Sequence, residues 1–78
     1  MEWVELDARG LSCPLPVLKA RKRLRKLAPG SRLLVLATDP KAPRDFVHFC
    51  ESSGHRLVRS EEEAGIYRIL LERADDGR

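Results

Sequence analysis

Aromatic side chains are scarce in this chain: one Trp, one Tyr and two Phe, 5% of its residues. A surface that binds nucleic acid by stacking bases on rings has little to build with. Cysteine is nearly as rare, with Cys13 and Cys50 alone. Two cysteines far apart in sequence are too few for a disulfide-stapled secreted scaffold, and neither C-x-x-C nor a metal-spaced cluster is present. No metal and no cofactor is expected. No apolar run approaches the roughly 18 residues that a membrane-spanning helix requires. The opening Met1-Glu2-Trp3-Val4-Glu5 lacks the basic patch, apolar stretch and small-residue cleavage site of a secretory signal. Together these absences predict a soluble cytoplasmic protein whose cysteines are thiols.

What is present suffices for one modest core. The 78 residues are 42% apolar, and a chain of this size buries only roughly 60% of the surface it exposes when unfolded. One domain over residues 1–78 is expected, with residues 74–78 as a frayed tail. Charge is mild overall, 15 Lys and Arg against 12 Asp and Glu, but it is uneven. Lys19, Arg21, Lys22, Arg23, Arg25 and Lys26 form a run without an acid, while Glu61, Glu62 and Glu63 cluster downstream. Such a basic strip favours acidic partners.

The alternation of Trp3-Val4-Glu5-Leu6-Asp7 predicts a strand, and Gly10 supplies a bend before Ser12-Cys13-Pro14. Proline is favoured at the first helical position, because its missing N–H has no partner there anyway. Pro14 therefore predicts a helix with Cys13 as its N-cap. Val17, Ala20, Leu24 and Leu27 give that helix an apolar stripe opposite the cations, and Pro29-Gly30 ends it. The run Leu33–Ala37 suits a strand in the middle of a sheet. A second helix is expected from between Pro40 and Pro43 to Ser53, burying Phe46, Phe49 and Cys50 and closing at Gly54. His55–Arg59 and Ile66–Glu72 read as two strands joined through Ala64-Gly65. The order β-α-β-α-β-β, with right-handed crossovers, predicts an α/β (α+β) two-layer sandwich: a mixed four-stranded sheet with two helices on one face. In that arrangement Cys13 and Cys50 do not meet.

A thiol at a helix N-cap faces unpaired N–H groups and partial positive charge, which favour thiolate and lower its pKa. Pro14 and Pro16 remove two of the first backbone donors, so Leu15 N–H is the expected partner of the sulfur. Arg9 and Lys19 are candidates for further positive charge. A hydrolytic cysteine needs a histidine and a dithiol oxidoreductase needs a second thiol. His48 and His55 fall on the second helix and the third strand, away from Cys13. A lone activated thiol fits a group carrier.

Leu6-Asp7-Ala8-Arg9-Gly10-Leu11-Ser12-Cys13-Pro14-Leu15-Pro16 resembles the signature of the TusA family of sulfur carriers, also called SirA-like, with its Cys-Pro-x-Pro at the start of the first helix. Pro29-Gly30, Thr38-Asp39-Pro40, Arg44-Asp45, Cys50, Gly54-His55 and Gly65-Ile66-Tyr67 extend the likeness over nearly the whole chain. The resemblance implies that Cys13 accepts persulfide sulfur from a cysteine desulfurase or rhodanese and relays it to an acceptor protein. The family's pathways include tRNA 2-thiolation, molybdenum-cofactor synthesis and sulfur oxidation. Carried over by position, Cys13 bears the sulfur, and Gly10, Pro14, Leu15 and Pro16 shape its loop.

Blander readings stand beside these. Cys13 also fits a small buried hydrophobe, and Cys50 reads as core. His55 reads as structural, and Asp39 and Asp45 as caps or pairing partners near the second helix. In the basic run, Arg21 with Arg25 and Lys22 with Lys26 repel at four-residue spacing, a few tenths of a kcal/mol each, which docking to an acidic surface would offset. A monomeric relay protein is expected. The competing reading is a non-catalytic nucleic-acid or regulatory module acting through the same helix; with no aromatic in the strip, direct tRNA contact is the weaker form of docking.

Overall fold

The computed structural model describes residues 3–74. Its elements are β1 (Trp3–Ala8), α1 (Leu15–Leu24), β2 (Arg32–Ala37), α2 (Ala42–Ser53), β3 (Arg56–Glu63) and β4 (Ile66–Glu72). They form one mixed sheet in the order β1-β2-β4-β3, with β1 parallel to β2 and the other pairs antiparallel. Both helices pack against the sheet and against each other. The expected two-layer α+β architecture is the one observed.

Alternation sets the faces of the strands. In β2, Leu33, Val35 and Ala37 are wholly buried beneath the helices, while Leu34 and Leu36 are half-buried on the opposite face. The helices meet that layer with Ala20 and Leu24 of α1, and with Ala42, Phe46 and Cys50 of α2 at four-residue spacing. Phe46 is the largest fully buried side chain, set edge-to-face against Phe49. Burying a side chain of that size is worth roughly 1.5–3 kcal/mol.

Element boundaries differ from expectation most at α1 and β3; β3 begins at Arg56, which leaves His55 just before the strand, and β1 and β2 each gain one residue, Ala8 and Arg32. Helix α1 begins at Leu15, with Pro14 rather than Cys13 at the N-cap position. It also ends at Leu24, because Lys26 and Leu27 bond to carbonyls three residues back and tighten the last turn. Strand β3 runs on to Glu63, since Ser60–Glu63 continue the hairpin pairing with β4. Gly54 closes α2 with φ 85°, the left-handed C-cap that glycine adopts most readily. The expected tail falls largely outside the described residues; Ala74, within them, donates its N–H to His55 Nδ1 at 3.0 Å.

Two parallel neighbours point their C-terminal ends the same way, so the chain leaves β1 and β2 side by side, where Ala8 pairs with Ala37. The β1–α1 and β2–α2 loops are therefore adjacent, and both helices start at that end. Cys50, towards the other end of α2, lies in the core away from this junction, and both cysteines are free thiols.

Candidate functional site

The two loops are joined by side-chain hydrogen bonds. Gly10, turned at φ 81°, donates its N–H to Thr38 Oγ1 at 2.9 Å. Cys13 donates its backbone N–H to Asp39 Oδ2 at 2.8 Å, and the other oxygen of Asp39 accepts Lys41 N–H at 2.8 Å. Asp39 thus bridges the loop that bears Cys13 to the start of α2. Those two bonds hold its carboxyl below the ordinary pKa of 3.8, with the charge of Lys41 adding to the effect. The Cys13–Pro14 peptide bond is cis.

The thiol of Cys13 is partly buried, and its Sγ–H donates to Asp45 Oδ2 in the first turn of α2. No helix amide takes the sulfur: Leu15 N–H bonds to Ser12 O at 2.9 Å. The expected N-cap thiolate is accordingly replaced by a thiol facing a carboxylate. The hydrogen bond to Asp45 foremost, then partial burial and the charges of Asp45 and Asp39, push the Cys13 pKa above its ordinary 9.0, against an opposing contribution from Lys41. The physical reason is the sign of the nearest charge: helix-end dipoles lower a thiol's pKa, but full negative charges that accept its proton raise it.

Other expected site residues are distributed as follows. Pro16 is buried in the core face of α1, while Leu15 and Leu18 are about half-exposed on its outer side. Arg9 does not face the sulfur. It forms a fork with Asp7, through Nε at 2.8 Å and Nη2 at 3.0 Å, which holds the Asp7 carboxyl down at about 2. Lys19 joins Lys22, Arg23 and Lys26 around a shallow groove floored by Leu6 of β1, about 210 Å³ in volume. Arg21, on the helix, and Arg25, at its C-cap, are exposed. Because α1 ends at Leu24, Arg21, Lys22 and Arg23 occupy its last turn, where the helix dipole favours cations and offsets part of their repulsion. His55 lies beyond the C-terminus of α2, its ring 5.7 Å from that of Phe49.

Asp39 and Asp45 lie near the start of α2 as expected, but their contacts to Cys13 do not follow from local pattern. Their signal was topological. Parallel β1 and β2 bring the residues after both strands to one end, so acids following β2 face the cysteine following β1.

An accessible single thiol, set where two strand–helix loops join at one end of a βαβαββ sandwich, defines a small thiol protein of the α+β class. The family model described as sulfurtransferase TusA matches residues 4–73, and the chain belongs to that family. A protein named sulfur carrier protein TusA from Pseudomonas paraeruginosa is 48% identical over 71 residues, covering 91% of this chain and 90% of that one. Its namesake in Allochromatium vinosum is 44% identical over 70 residues, covering 90% and 92%. Among solved structures, a SirA-like protein from Desulfitobacterium hafniense superposes with a TM-score of 0.80 at 25% identity, covering 91% of this chain and 97% of its own. Among the described residues, no helix is long and apolar enough to cross a membrane.

Proposed function

We propose that this protein is a cytoplasmic sulfur carrier that holds sulfur as a persulfide on Cys13. The observation that carries the reading is an accessible thiol, unpaired with Cys50, at the junction of two loops in a chain whose relatives are named sulfur carriers. Loading is an exchange. The Cys13 sulfur attacks the outer sulfur of a donor persulfide, one S–S bond forms as another breaks, and the donor leaves as a thiol. No net oxidation occurs, so no cofactor is called for. Delivery repeats the exchange, with Cys13 as the leaving sulfur and an acceptor protein as the attacking group.

A cysteine desulfurase or rhodanese is the donor in this reading. The acceptor belongs to tRNA 2-thiolation, molybdenum-cofactor synthesis or sulfur oxidation. The carrier works as a monomer that meets larger partners in turn. Exposed Leu15 and Leu18 follow Cys13 in the first turn of α1, Arg21, Lys22 and Arg23 occupy its last turn, and Arg25 and Lys26 lie just past its end. An acidic rim on a partner, with an apolar contact close to the reacting sulfur, complements that surface. Incubation with a desulfurase and cysteine followed by intact-mass analysis tests the role: the wild type gains a sulfur atom and Cys13→Ser does not. A Cys13→Ser protein that gains sulfur equally well overturns it.

A further inference from the structure

Among the described residues, the contact that the carrier reading leaves unused is the carboxylate set against the reacting thiol. Three charged groups face Cys13: Asp45 from α2, and Asp39 and Lys41 from the loop before it. Their roles differ. Both oxygens of Asp39 are engaged with the backbone, at Cys13 and Lys41. Asp45 alone meets the sulfur, and its own backbone N–H is satisfied within the helix by Lys41 O at 3.0 Å. Helix α2 therefore anchors the backbone of Asp45, whose carboxylate faces the sulfur in position to accept and return a proton.

We propose that Asp45 is the proton-holding residue of sulfur exchange: its carboxylate keeps Cys13 as a thiol in the free carrier and takes that proton when a donor persulfide is presented. The inference rests on the carrier reading. In the exchange the new S–S bond forms between Cys13 and the donor's outer sulfur. The donor's S–S bond breaks with its electron pair on the inner sulfur. The Cys13 proton passes to Asp45 and then to that departing sulfur, so Asp45 ends the cycle as it began.

A resting thiol has a consequence that a resting thiolate lacks. Nucleophilic attack and oxidation both proceed through the thiolate. Holding the proton keeps the unpartnered carrier slow towards stray electrophiles and peroxides, and confines its chemistry to complexes in which an activated sulfur is already aligned.

The test is the pH profile of Cys13 alkylation by iodoacetamide, followed by peptide mass so that Cys50 does not contribute. The wild type reaches half its maximal rate above the pH typical of an unperturbed thiol. Asp45→Asn removes the charge and offers an N–H to the thiolate, so its profile moves to lower pH. Its rate near neutrality rises on the order of tenfold, the scale of one charge-assisted hydrogen bond. Asp45→Glu restores the high-pH profile. Superimposed profiles for wild type and Asp45→Asn overturn the proposal, and Asp45→Ser provides the same comparison if the amide variant does not fold. Sulfur loading is scored separately, on the wild type. Superimposed profiles with normal loading remove Asp45's role and leave the carrier; shifted profiles without loading remove the carrier and leave Asp45 as the holder of the thiol proton.

Discussion

The thiol of Cys13, in the loop before α1, donates to the carboxylate of Asp45, 32 positions later in the chain and in the first turn of α2. That contact exists because two parallel strands end together and each is followed by a helix start. It also changes the chemistry of the site, since the dominant charge at the sulfur is a carboxylate rather than a helix dipole.

Cys50 predicts a loss of stability in alkali. Burial pushes its thiol up from 9.0 to about 11. Below about pH 9 the thiol is protonated in both the folded and the unfolded chain, and it costs nothing. As pH rises past the unfolded value, the unfolded chain releases a proton that the folded chain still holds, so folding weakens until about pH 11 is passed. The loss amounts to about 2–3 kcal/mol. Urea midpoints measured against pH in a Cys13→Ser background show this fall, and adding Cys50→Ala flattens it at a constant cost on the order of 1 kcal/mol for the lost packing.

The β3–β4 hairpin carries a correctable defect. Ala64 sits at φ 53° and Gly65 at φ 81°, so both central residues occupy the left-handed region of a two-residue turn. Glycine adopts it freely, whereas alanine does so at a cost. Ala64→Asn, exposed and with a side chain suited to this conformation, gains roughly 0.5–1 kcal/mol and raises the melting temperature by a few degrees. Thermal unfolding followed by circular dichroism measures the gain.

The basic groove predicts salt-sensitive partner encounter. Lys22 and Lys26 line it without an adjacent acid. Reversing both to Glu lowers the rate of sulfur loading from a desulfurase by roughly tenfold at low ionic strength, with a much smaller difference at high salt. Alkylation of Cys13 is unchanged, which separates docking from reactivity. The nucleic-acid alternative predicts tRNA binding that survives Cys13→Ser and falls steeply with salt; the carrier account predicts negligible RNA binding at physiological ionic strength.

The architecture was legible from local pattern. Alternation marked Trp3–Asp7, the apolar run Leu33–Ala37 marked the inner strand, and Gly54 and Ala64-Gly65 marked a helix end and a hairpin. The motif around Cys13 was equally plain. What local pattern did not yield was the environment of the sulfur. Pro14 suited the first helical position by its fixed φ, yet it occupies the cap position at φ −99° and ψ 17°, one residue earlier than the helix proper. Leu15 N–H, the expected partner of the sulfur, is spent on Ser12 O. Asp39 and Asp45 were placed correctly near α2, but their reach across to Cys13 depends on sheet pairing, a long-range property that no window of neighbouring residues contains.

The most direct measurement is the location of the acquired sulfur. After loading from a desulfurase and cysteine, blocking with an alkylating agent and proteolysis, peptide mass spectrometry finds the extra sulfur on the peptide containing Cys13, with Cys50 unmodified by sulfur, and reduction removes it. Sulfur found on Cys50, or on neither cysteine while the desulfurase turns over, contradicts the account.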